Sequence, residues 1–180
     1  MAITRLGGAN AISGTIPQGN IANASLGAVT ALPAAITTGK VLQVVNASTT
    51  TQSASSSSTF ADVTNLTAAI TPSLSSNKIL ISVFCNGVGK ETNNAYMGLR
   101  LLRGSTDIAL IDHLIGLNGG SASNYIGTSG IMYLDSPSTT SATTYKMQFN
   151  SEGNNATVYI NRPNSSNVAT STITLMEIAV

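Results

Sequence analysis

His113 is the only histidine of the 180 residues, and Asp112 precedes it directly. An adjacent Asp and His could polarise a hydroxyl nucleophile, but acyl transfer also needs an activated Ser or Cys and an oxyanion hole. None of the many serines sits in a G-x-S-x-G turn. The pair is expected to be polar surface or sheet edge. Asn86-Gly87-Val88-Gly89-Lys90-Glu91-Thr92 superficially resembles a phosphate loop. That motif needs glycine five residues before its Gly-Lys pair and Ser or Thr directly after it; here those positions hold Phe84 and Glu91. The segment is expected to be a loop.

The seven acidic residues, Asp62, Glu91, Asp107, Asp112, Asp135, Glu152 and Glu177, are dispersed. Asp107 and Asp112 flank a strand and do not form a D-x-D-x-D-G calcium loop. Two carboxylates of a glycosidase could still meet in the fold, and a glycan depolymerase is the enzymatic alternative. Cys85 is the single cysteine, so an intrachain disulfide and a cysteine-based metal site are both excluded. Within the run Ile79 to Cys85 it is expected to be a buried thiol acting as a small hydrophobe. No catalytic residue, cofactor or metal is expected.

Composition narrows the function classes further. Only 8% of residues are charged and the formal net charge is +1, against roughly 25% charged in an ordinary domain. The polar surface must come from Ser, Thr and Asn, which suits extracellular particles and sugar contacts. The basic residues form no stripe that could neutralise a row of phosphates, which argues against nucleic acid. No apolar stretch approaches the roughly 18 residues of a membrane span, and the N-terminus lacks the apolar core of a signal peptide. Five N-x-S/T triplets, at Asn23, Asn46, Asn65, Asn155 and Asn164, are a product of this composition.

The chain divides near residue 38. The only charges before Phe60, the first aromatic residue, are Arg5 and Lys40. Residues 1–38 are mostly small, with Pro17 and Pro33, and cannot bury enough apolar area to offset their own chain entropy. Yet Ile12, Ile16, Ile21, Leu26, Val29, Leu32 and Ile36 recur every three to five residues. An extended N-terminal arm laid into a groove on other subunits fits this pattern, with those aliphatics as the partner-binding residues. A flexible linker is the other reading.

Residues 39–180 read as short β-runs between turn clusters. Strands are expected over Lys40–Asn46, Phe60–Ile70, Lys78–Cys85, Ala95–Arg103, Ile108–Ile111, Ile126–Leu134, Thr143–Asn150, Val158–Asn161 and Ser171–Ala179. Ser48–Thr59 is expected to be an exposed loop, Gly104-Ser105-Thr106-Asp107 a tight turn, and Ser121–Asn124 a loop. Eight or nine strands without a helix-period segment predict an all-β fold, an antiparallel β-sandwich that is jelly-roll-like. Its expected core includes Leu80, Phe84, Tyr145, Met147, Phe149 and Leu175.

Several segments carry a family resemblance. They are Gly39-Lys40-Val41-Leu42-Gln43-Val44-Val45, Phe60 to Pro72, Ser75 to Ile81, the ending Ser171 to Ile178, and the opening Gly8 to Pro17. The chain resembles tail-fibre-like and virion structural proteins of marine and freshwater bacteriophages, notably those of cyanobacterial hosts. The resemblance implies a trimeric virion protein whose β-domain faces outward, assembled in the host bacterial cytoplasm. Its partners would be other virion proteins of the tail or capsid, and a host surface glycan or protein. A short tail fibre or adhesin is the leading expectation, and a capsid decoration protein that stabilises the shell is the alternative.

Overall fold

A computed structural model describes residues 39–117, 125–153, 155–164 and 166–180. The expected arm, with Ile12, Ile16, Ile21, Leu26, Val29, Leu32 and Ile36, lies outside them, as does the loop expected at Ser121–Asn124. The described residues contain ten strands. These are β1 (Val41–Thr49), β2 (Ser53–Ser55), β3 (Ala61–Ile70), β4 (Lys78–Lys90) and β5 (Met97–Arg103). They continue with β6 (Thr106–Ile115), β7 (Tyr125–Asp135), β8 (Thr143–Ser151), β9 (Val158–Ile160) and β10 (Ser171–Ile178).

The pairing follows one folded ribbon. β5 and β6 form a hairpin across Gly104-Ser105, where Gly104 takes φ +58°. Outward from that tip, β4 pairs β7, β3 pairs β8, and β1 pairs β10, all antiparallel. Successive pairs of the ribbon fall alternately into two sheets. One sheet runs β1-β10-β4-β7, extended by the short β9 and β2, and the other runs β3-β8-β5-β6. That is the wrapping of a jelly roll. The expected all-β sandwich is the observed fold.

Alternation along the strands sets the core. Ile79, Ile81, Val83 and Cys85 of β4 and Ile173 and Leu175 of β10 point inward from the six-stranded sheet. They meet Met97, Leu99 and Leu101 of β5 and Tyr145, Met147 and Phe149 of β8 from the other sheet. On β3 the inward phase switches, from Val63 to Leu66, Ala68 and Ile70. The switch coincides with a bulge against β8 and with Asn65 at φ +60°, a conformation that Asn tolerates better than branched residues do.

Four expectations need correction. Leu80 and Phe84 are not core: they alternate with the inward residues of β4, Leu80 is half-buried, and Phe84 is 47% exposed on the outer face. Ser48–Thr59 is not one exposed loop. β1 runs on to Thr49, and Ser53 of β2 is buried, its hydroxyl accepting from the Thr64 amide at 2.8 Å. A serine-rich stretch reads as loop because hydroxyls prefer water, but a hydroxyl with an internal partner can be buried. The strand over Lys78–Cys85 does not stop at Asn86-Gly87-Val88-Gly89. Gly87 takes φ +58° within a bulge, and β4 continues to Lys90. Finally, the partner expected over Ile108–Ile111 is a ten-residue strand, Thr106–Ile115.

Candidate functional site

The residues singled out for chemistry are kept apart or already engaged. His113 lies on β6, the edge of the four-stranded sheet, with its Nδ1 3.4 Å from Glu152 Oε1. Asp112 does not serve it: its Oδ1 accepts from the Leu114 amide at 2.9 Å. Cys85 is fully buried, and burial pushes its thiol up to about 12. The segment resembling a phosphate loop is largely strand, and Lys90 is buried there with Nζ donating to the Gly116 carbonyl at 2.7 Å. Beside it the Arg162 guanidinium lies over the rings of Tyr125 and Tyr159, at 4.9 and 4.5 Å from their centroids.

Two buried carboxylates, Glu177 and Asp135, lie at the opposite end of β4. Gln43, Glu177, Ile79 and Asp135 form one row across β1, β10, β4 and β7. Fully buried Ile79 stands between the two acids, which are two strand spacings apart, about 10 Å. Each carboxylate has its own donors. Glu177 Oε1 accepts from the Ser73 amide at 2.6 Å, the Ser73 hydroxyl at 2.7 Å and Asn77 Nδ2 at 2.6 Å. Its Oε2 accepts from Gln43 Nε2 at 2.6 Å. Burial disfavours the charge, but these neutral donors overcome it and hold the carboxyl down to about 2.

Asp135 accepts from Arg103 Nη1 at 2.8 and 2.9 Å and from the Tyr145 hydroxyl at 2.7 Å. Burial and that bond to Asp135 drive the Tyr145 phenol well above its usual value. Arg103 and Tyr145 belong to one sheet and Asp135 to the other, so this cluster ties the layers at one end. Glu177 ties the β3–β4 connection to β1 and β10. The geometry makes both acids fasteners.

What distinguishes the surface is the outer face of each sheet. Across the four-stranded sheet runs a chain of charges. Lys146 Nζ donates to Asp62 at 2.9 Å and Gln148 Nε2 donates to the same carboxylate at 2.6 Å. Burial opposes the Asp62 charge, and these two donors more than offset it, lowering its pKa. Arg100 donates to Gln148 Oε1 at 2.7 and 3.0 Å, pairs with Asp107 at 3.1 Å, and lies 4.1 Å over the Phe60 ring. All four strands take part.

The outer face of the six-stranded sheet is different. Registers align Val44 of β1, Met176 of β10, Leu80 of β4 and Leu134 of β7 in one apolar row. The next row is Asn46, Thr174, Ser82 and Met132, and the one after is Ser48, Thr172, Phe84 and Gly130. Val44 is 58%, Met132 65% and Leu134 50% exposed. Phe84 stays uncovered because its neighbours are Gly130, which has no side chain, and the small Thr172. Reading the sequence for core missed this face. Its signal was present, since Ile79 to Cys85 is apolar at every position but Ser82. A strand apolar on both sides needs a cover on both sides.

No protein-family model matches the chain, and no curated protein matches it. Among solved structures, one of infectious bursal disease virus, Gt strain, is similar over 77% of this chain and 38% of that one. The identity is 10% and the TM-score 0.43. A structure of the same virus, Gx strain, is similar over 76% of this chain and 41% of that one, at 10% identity and a TM-score of 0.37. The chain spans about two fifths of the length of these two.

Proposed function

We propose that this chain is a structural subunit of a bacteriophage particle, a short tail-fibre or adhesin subunit. Residues 1–38 attach it to the particle, and the jelly roll is displayed toward a glycan or protein of the host surface. One observation carries the reading: the sandwich has two unlike outer sides. One holds a self-paired charge network fit for water, and the other a largely apolar sheet face, with Lys78 at one end, fit for burial. A subunit that is half covered in an assembly requires such a division, and a freely diffusing enzyme does not. The sequence resemblance to phage tail-fibre-like proteins supports the same class.

The test is a phage whose copy of this chain starts at Thr38, imaged as whole particles beside the parent. The shortened protein is expected to fold with unchanged β-content and to be missing from the particle. Its incorporation at normal occupancy would overturn attachment through residues 1–38. In the parent, density for the jelly roll on the tail supports the adhesin. Density on the shell would replace it with a capsid decoration subunit.

A further inference from the structure

We infer that copies of this chain associate with one another through the outer face of the six-stranded sheet. The inference rests on this face alone and holds whatever particle, if any, the chain joins. Four observations converge on a second copy as the occupant.

The first is area. Val41, Leu42, Val44, Leu80, Phe84, Met132, Leu134, Met176 and Ile178 lie on the face or its β1 margin, all exposed or half-exposed. Together they present roughly 600–700 Å² of accessible surface, near the roughly 800 Å² per partner of a standard stable interface. Monomers rarely leave a contiguous apolar patch above a few hundred Å² in water.

The second is charge. Lys78, paired with Ile178 at one end, is the only charged residue among the positions in register across β1, β10, β4 and β7 on this side. A face whose one in-register charge, Lys78, stands at its end meets an identical face with little like-charge repulsion, whereas a charged partner would bury groups that the rest of the face could not pair. The polar side chains between the apolar ones are Asn46, Ser48, Ser82, Thr172 and Thr174. Asn46 Nδ2 already donates to Thr174 Oγ1 at 2.8 Å, so part of their hydrogen bonding is satisfied within the face.

The third is shape. The face is a regular four-strand surface, and two such surfaces stack about 10 Å apart with side chains interdigitating. The fourth is contrast. The outer face of the other sheet spends its charges on itself through Asp62, Lys146, Gln148, Arg100 and Asp107, leaving one side for contact.

The experiment is light scattering on the purified full chain at micromolar concentrations, on the wild type and on Leu134→Glu with Met132→Glu. Both substituted positions are half or more exposed on β7, so the fold should tolerate them, and circular dichroism checks that it does. The wild type is expected to be oligomeric and the double variant monomeric, with association weakened at least about 100-fold by burying unpaired carboxylates. Val44→Lys, at the opposite margin, gives an independent second disruption should the β7 variant misfold. Asp107→Ala, on the other sheet, is expected to stay oligomeric. A monomeric wild type, whether because residues 1–38 cover the face or because nothing does, overturns the inference. So does a folded double variant that remains oligomeric, since another surface would then hold the copies together.

Discussion

Across one sheet, Asp62, Lys146, Gln148, Arg100 and Asp107 hold one another in a line. Across the other, the comparable row is Val44, Met176, Leu80 and Leu134. Both rows cross four antiparallel strands, and both lie over the same buried layer. In a chain with 8% charged residues, concentrating charge on one face leaves the other nearly bare. The difference teaches that the inner faces hold the fold together, while the outer faces determine what it meets.

The sharpest way to break this comparison uses two residues of one type. Phe149 is 1% exposed between the sheets, and Phe84 is 47% exposed on the apolar outer face. Phe149→Ala should cost about 3–5 kcal/mol in denaturant melts. Phe84→Ala, measured on a monomeric background, should cost about 1 kcal/mol or less. Equal losses would mean that the outer face is packed as a core, and the division of faces would fail.

Glu177 tests the fastening of the apolar sheet. Glu177→Gln turns an acceptor of four hydrogen bonds toward donors it cannot all satisfy, at a cost of about 2 kcal/mol. The pH dependence has a definite sign. Its folded carboxyl is held down to about 2, against an ordinary 4.5, so its contribution is full above the ordinary value. That contribution is lost as pH falls from about 4.5 through about 2. Melts of Glu177→Gln across that range should show a shallower acid destabilisation than the wild type. Parallel curves would mean that the carboxylate is not held as described.

Cys85 reports on the buried layer beneath both faces. Its thiol is inaccessible and pushed up to about 12. A thiol-disulfide reagent at pH 8 should therefore label it only through unfolding, at a rate that rises with denaturant. Rapid labelling of the native protein would open the core to question.

The smallest effect belongs to the charged face. Arg100 and Asp107 are 28% and 43% exposed at their side chains, so Arg100→Met should cost under about 1 kcal/mol. Raising the salt should shrink even that. A large, salt-independent loss would show that this network is structural and would remove the asymmetry between the faces.

Nine of the ten strands, the all-β class and the burial of Tyr145, Met147, Phe149 and Leu175 were legible in the sequence, because period-two alternation and turn residues act locally. Alternation also separates the two faces of a strand, but it does not say whether the second face meets water, another layer or another chain. For that reason the apolar run predicts Leu80 and Phe84 in the core, whereas both lie on the outer face. Bulges were invisible for a related reason: Gly87 and Asn65 look like turn residues, and only pairing with a neighbouring strand makes them kinks within β4 and β3.

By itself, then, the sequence determined the all-β class, most of the strands, the chain's poverty in charge and the absence of any motif that would bring catalytic groups together locally. The tertiary structure alone decided which residues share a row. Gln43 and Glu177 lie 134 positions apart, yet they meet in a 2.6 Å hydrogen bond, and Val44 and Leu134 share one stripe through two intervening strands. The physical reason is that a jelly roll pairs its first strand with its last. Its surfaces are therefore composed of residues from opposite ends of the chain, a relation set by long-range register and carried by no local pattern.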